Sequence, residues 1–206
     1  MERPLSPDEI LAKPELVSRT VRTCTGQEVL IRLIRSDDGE ILGRYLTELS
    51  EQAQGQLPPH RLDRAAADAV CADAGNPHTL RTLAIVQDKA GQRVVGYFIL
   101  QLSISGAERA RFASYRLALD DRTDCKLSVS MAEKYRHRGV GRSMMLHVLE
   151  LARRLGRRRV FLTSRTQASY VHAIHFYTSF GFRVVGQFTT GHGETEVDNF
   201  DMILDL

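Results

Sequence analysis

The stretch that most limits what this chain can fold into is residues 125–142, Cys-Lys-Leu-Ser-Val-Ser-Met-Ala-Glu-Lys-Tyr-Arg-His-Arg-Gly-Val-Gly-Arg. Leu127, Val129 and Met131 alternate with Lys126, Ser128 and Ser130, the period of a strand, and from Met144 the apolar residues recur at helical spacing. The turn between strand and helix holds Gly139 and Gly141, which allow tight backbone geometry and a close approach to a ligand. The first N–H groups of a helix lack intrahelical acceptors and its dipole is positive at that end. The turn is therefore a ready anion site, with Arg136, Arg138 and Arg142 at its rim.

Spacing separates the known phosphate-binding turns. A P-loop needs Gly-Lys-Ser/Thr after its glycines, and a dinucleotide fingerprint needs a third glycine three residues after the second. Here no lysine follows Gly141, and Met144 stands where the third glycine would be. The pattern Arg136-x-x-Gly139-x-Gly141 after a strand resembles instead the pyrophosphate-binding motif of the GNAT superfamily of N-acetyltransferases. Residues 173–182, Ala-Ile-His-Phe-Tyr-Thr-Ser-Phe-Gly-Phe, are similar to that family's second motif, Ala-x-x-(apolar)-Tyr-x-x-x-Gly-Phe. The two motifs stand in the family's order and separation. The resemblance is specific over residues 125–182 and diffuse over the rest from about Arg22.

The resemblance implies an α/β (α+β) chain of the GNAT fold: a mixed, mostly antiparallel central sheet of about six or seven strands with helices on both faces. It implies acetyl-coenzyme A as cosubstrate, no metal, and acetyl transfer to a primary amine by direct attack. The pantetheine arm would lie along Val129, Ser130 and Met131. The pyrophosphate would lie on the turn and helix start formed by Arg136, His137, Arg138, Gly139, Val140, Gly141, Arg142 and Ser143. Tyr177 would be the general acid that protonates the departing thiolate.

Two departures stand out. Where many relatives carry a glutamate base, this chain has Cys125 or Lys126; Asp124 or an ordered water would have to replace it, and Asp124 also reads as a strand-end cap. Three residues before Ala173, where an asparagine is common, stands Tyr170, whose phenol or the hydroxyl of Ser169 would take over its hydrogen bond. The arginine run at 153, 154 and 157–159 reads as a solvated helix end, favoured by the dipole; together with the missing glutamate it also motivates a rival reading, a non-catalytic acyl-coenzyme-A sensor or a nucleic-acid-associated module.

Composition narrows the classes. A chain of 206 residues suits one domain, here residues 21–206 after an N-terminal arm at 1–20. A net charge of +3 is too small to argue for nucleic acid. No apolar run approaches the roughly 18 residues that span a bilayer, and the N-terminus lacks the layout of a signal peptide. Cys24, Cys71 and Cys125 are odd in number and widely spaced, which reads as reduced thiols in the cytoplasm. His172 and His175 share a helix face without a neighbouring carboxylate or cysteine, which argues against a metal. A homodimer is left open.

Periodicity predicts the remaining elements. The arm, with Pro4, Pro7 and Pro14, reads as loose with one turn of helix after Ser6. A strand at 29–34 leads, after caps at 36–38, to a helix with Ile41, Leu42, Tyr45, Leu46 and Leu49 on one face. A loop at 54–59 precedes a helix with Leu62, Ala65, Ala66, Ala69 and Val70 inward. Strands at 80–86 and 94–105 form a hairpin; residues 106–124 read as a loop with room for a short strand. A helix at 141–155, a strand at 159–164, a helix at 169–180 and strands at 182–189 and 199–206 follow. Glu194, Glu196, Asp198 and Asp201 read either as a polar hairpin or, since the resemblance implies that this connection borders the acceptor site, as an acidic rim that would attract a cationic amine.

Overall fold

Alternation along the strands sends apolar side chains to both faces of one sheet, and helices cover each face. The computed structural model describes residues 3–49, 63–163, 166–191 and 196–206. In chain order the elements are α1 (Pro7–Ala12), β1 (Arg19–Arg22), β2 (Glu28–Leu33), α2 (Gly39–Glu48), α3 (Arg64–Ala72), β3 (Thr79–Asp88), β4 (Gly91–Gln101), α4 (Gly106–Ser114), β5 (Asp124–Met131), α5 (Val140–Arg154), β6 (Arg159–Leu162), α6 (Val171–Thr178), β7 (Arg183–Thr190) and β8 (Val197–Asp205). The strands form an 8-stranded sheet in the order β1-β2-β3-β4-β5-β6-β8-β7, antiparallel everywhere except between β5 and β6.

On one face Val29, Ile31, Leu80, Phe98, Leu100 and Leu127 pack against Met144, Val148 and Ala152 of α5 and Ile10 of α1. On the other, Leu83, Ile85, Tyr97 and Ile99 pack against α2 and α3, while Phe161 and Ile203 pack against Phe112 of α4. The strands β3 and β4 are buried on both sides, which is why they read as nearly continuous apolar runs. Between the two helix layers of the second face, β5 presents only Lys126, Ser128 and Ser130.

Three departures from the expected elements have physical causes. The arm is packed. A capping box between Ser6 and Glu9 starts α1, Ile10 and Val17 enter the core, and β1 adds an eighth strand beside β2. Residues 106–114, expected as loop, form α4, started by a second capping box between Ser105 and Glu108. In α3 the inward residues are Ala67, Val70 and Cys71, whereas Ala65 and Ala69 are exposed, so the expected face is rotated. The loop at 54–59, Leu62, the end of the 159–164 strand and Glu194 lie outside the described residues.

Candidate active site

The sheet splits between β5 and β6. These parallel strands pair only over Asp124↔Arg159, Cys125↔Val160 and Lys126↔Phe161, after which β6 continues along β8. At the vertex Asp124, fully buried, takes two bonds from the Arg159 guanidinium (2.8 and 2.5 Å) and a third from the Asp120 N–H (2.8 Å). Past Lys126 no strand among the described residues covers the outer edge of β5. Ala132 N–H donates to Val95 O on the β4 side, and antiparallel bonds alternate, so the N–H groups of Met131 and Val129 point into the opening.

A cavity of about 590 Å³ occupies this opening on the α5–α6 face. Val129, Ser130 and Met131 line one wall; Arg136, His137, Gly139, Gly141 and Arg142 line the end at the start of α5; Tyr170, Ala173, Phe176 and Tyr177 of the α6 segment line the other wall. The turn presents unpaired donors. His137 (φ 59°) and Gly139 (φ 84°) are left-handed, and the backbone N–H groups of 137–142 have no acceptor among the described residues. Ser143 differs from expectation. Its N–H donates to Gly139 O at 3.0 Å, the first regular bond of the helix, so it is not available to a ligand. Val140 turns its side chain into the core, and Arg138 and Arg142 lie over the rings of Tyr135 and Phe180 (5.4 Å each), holding positive charge near the turn.

The second motif is a helix end. Gly181, left-handed at φ 94°, donates to Thr178 O (2.9 Å), and Phe182 donates to Tyr177 O (3.2 Å), the paired bonds of a Schellman turn. The Phe182 ring packs on the Tyr177 ring, centroids 6.0 Å apart, with Phe176 on its other flank at 5.7 Å. The spacing Tyr-x-x-x-Gly-Phe is thus what clamps the tyrosine. Its hydroxyl has no hydrogen-bond partner among the described residues, and burial pushes its pKa up, so it holds its proton.

No carboxylate lines the cavity among the described residues. Asp124 is spent at the vertex, and the Cys125 thiol, buried, is pushed up to about 12. Lys126 reaches across to Glu108 of α4 at 2.7 Å, a contact invisible in sequence because the partner lies in the stretch read as loop. Ser169, Tyr170 and His172 do line the cavity. On β8, Asp201 is fully buried, bound by Arg111 (2.7 Å) and the Tyr115 hydroxyl (3.1 Å), which removes it from the acidic rim; Glu196 and Asp198 remain at the surface. The arginine run is largely internal wiring. Arg154 donates to Leu16 O (2.6 Å), Arg157 to Asp121 O, and Arg159 to Asp124, while Arg153 and Arg158 are exposed.

No curated protein matches the chain significantly. Among solved structures, the GNAT domain of S. lividans PAT is 15% identical and superposes over 94% of this chain and 99% of that one with a TM-score of 0.64. The yncA protein of Salmonella typhimurium, solved with acetyl-CoA, is 16% identical, with 86% and 93% covered and a TM-score of 0.60. The ribosomal-protein-S5-alanine acetyltransferase of Vibrio fischeri is 11% identical, with 86% and 92% covered and a TM-score of 0.64. At these identities the likeness is one of fold. The family itself is shown by sequence: residues 45–182 match the model of the acetyltransferase (GNAT) family, and the chain belongs to that family as an acyltransferase whose donor is acetyl-coenzyme A.

Proposed function

We propose that this acyltransferase moves an acetyl group from acetyl-coenzyme A to a primary amine by direct attack within the split of the sheet. One observation carries the reading: a single cavity joins the unpaired N–H edge of β5, the buried phenol of Tyr177 and the free N–H groups of 137–142. Those turn donors would hold the donor's pyrophosphate, with Arg136 and Arg142 adding charge, and the edge of β5 would hold its pantetheine arm. The bound donor supplies an activated thioester. Val129 N–H donates to the carbonyl oxygen as negative charge develops there during attack, the kind of contact worth roughly 10²- to 10³-fold in rate. Tyr177 gives its proton to the sulfur as the carbon–sulfur bond breaks. With no carboxylate at hand, the amine attacks in its neutral form, and its surplus proton leaves through water, which returns a proton to the Tyr177 oxygen.

The acceptor is a protein, peptide or small-molecule amine; the loss of Asp201 from the rim weakens the case for a strongly cationic metabolite. The nucleic-acid alternative loses support because Arg154, Arg157 and Arg159 are bound by carbonyl and carboxylate oxygens of the chain itself. A cytoplasmic location is supported by three free cysteines, and among the described residues no helix is long and apolar enough to cross a membrane. A homodimer, if formed, has the edge strand β7 available, where Val184 is exposed.

The test is a panel of amines and peptides incubated with acetyl-coenzyme A, read as release of free thiol, beside the melting temperature with and without coenzyme A. Turnover on one acceptor class with a cofactor-dependent rise in melting temperature is expected. A rise without turnover on any amine would favour the sensor reading, and no rise at all would overturn the site.

A further inference from the structure

We infer that Phe98 is the stop that limits the transferred group to a short acyl chain, acetyl or propionyl. This rests on the proposed placement of the donor. The cavity is graded from outside to inside: Val171 on its rim is 68% exposed, Tyr177 is 8% exposed, and Phe98 is 1% exposed. The anion-binding turn lies at the outer end, so the donor's phosphates sit near solvent and its reactive end lies inward. Val129 marks that inner end on β5. Phe98 is its direct partner across the β4–β5 ladder, so both side chains stand on the same face of the sheet. Among the described residues Phe98 is the β4 side chain that reaches the cavity.

Behind Phe98 the wall is closed. One step farther from the turn on the same face of the sheet, Leu100 of β4 and its ladder partner Leu127 of β5 are each 1% exposed and belong to the packed core. An acyl chain growing past the thioester therefore meets an aromatic ring backed by a packed core, and interiors packed at this density do not yield a methylene freely. Removing part of the ring would open an extension without moving the sheet.

Titration calorimetry with coenzyme A, acetyl-, butyryl- and hexanoyl-coenzyme A, without acceptor, tests this. The wild type should bind hexanoyl-coenzyme A at least about tenfold more weakly than acetyl-coenzyme A, the scale on which a pocket rejects surplus methylenes. Phe98→Ala should bring the two within about threefold of each other, each compared with that variant's own acetyl-coenzyme A affinity. Phe98→Leu removes less volume and keeps the fold if the alanine variant does not; it should shift the preference toward butyryl-coenzyme A. A wild type indifferent to chain length, or a folded Phe98→Leu with the wild-type ranking, would overturn the assignment of Phe98 alone. Failure of the wild type to bind any of the four compounds would overturn it together with the proposed function.

Discussion

A phenol buried among aromatic rings keeps its proton, and that property of Tyr177 makes the first prediction. Tyr177→Phe removes one positioned acid and should lower turnover by roughly 10²-fold while leaving coenzyme A affinity near wild type; full activity would return Tyr177 to a packing role. Because burial raises its pKa above the ordinary 10, loss of this proton produces no falling limb below about pH 10. The rising limb should then belong to the acceptor. The log of kcat/KM for the amine is expected to climb with pH up to the amine's own pKa, and a plateau well below that point would show that a group of the enzyme takes the proton. Gly139 makes a separate prediction. Its φ of +84° strains any L side chain, most of all a β-branched one, and its neighbours are the free N–H groups of the turn. Gly139→Val should abolish most of the coenzyme A-dependent rise in melting temperature, and a rise of wild-type size would disprove the anion site.

Among the elements, β5, α5 and α6 were legible in the sequence because each shows its period and its punctuation: Gly156 and Gly181 are left-handed helix ends, and the inward side chains of α5 are bulky. The helix α4 lacks an apolar period and a glycine stop. It ends in a Schellman turn whose left-handed residue is Arg116 (φ 63°) rather than glycine, with Leu117 N–H on Phe112 O, and Phe112 is its one buried apolar side chain. Its capping box was in principle readable at Ser105 and Glu108. In α3 small alanines on several sides hide which face is inward. The site was half legible for the same reason: glycines, strand alternation and the clamped tyrosine are local, whereas the pairing of Lys126 with Glu108 joins elements 18 positions apart. That pairing gives α4 a mechanical part. It ties β5 through Glu108 and the other side of the split through Arg111, which binds Asp201 of β8 and Thr163 just after β6. Asp201→Asn strands a largely buried guanidinium and should destabilise the fold by about 3 kcal/mol, while Arg111→Met with Asp201→Leu should recover most of that loss. Urea denaturation of the three proteins decides, and a tolerated Asp201→Asn would show that the pair is not holding α4.

At the scale of the whole molecule, the N-terminal segment and the C-terminal half of α5 are one unit. Leu5 N–H donates to Arg154 O (2.7 Å), Arg154 donates to Leu16 O, and Arg19 pairs with Glu150 at 2.5 Å. Beneath these contacts His147 of α5 is 3% exposed, with neither ring nitrogen hydrogen-bonded among the described residues. Burial, with Arg19 and then Arg154 adding to it and Glu150 opposing, lowers its pKa from 6.5 to about 4. The sign follows from linkage. Above about pH 6.5 the imidazole is neutral in both folded and unfolded chains and pH has no leverage; as pH falls toward 4 the unfolded chain takes up the proton and the folded chain does not, so stability is lost across that window. By pH 5 the loss should be on the order of 2 kcal/mol. His147→Leu, similar in bulk and without a titrating group, should flatten that part of the profile, whereas the wild type should weaken between pH 7 and pH 5. Urea midpoints of both proteins at the two pH values measure the difference, and equal slopes would show that His147 does not carry the acid sensitivity of the segment packed over it.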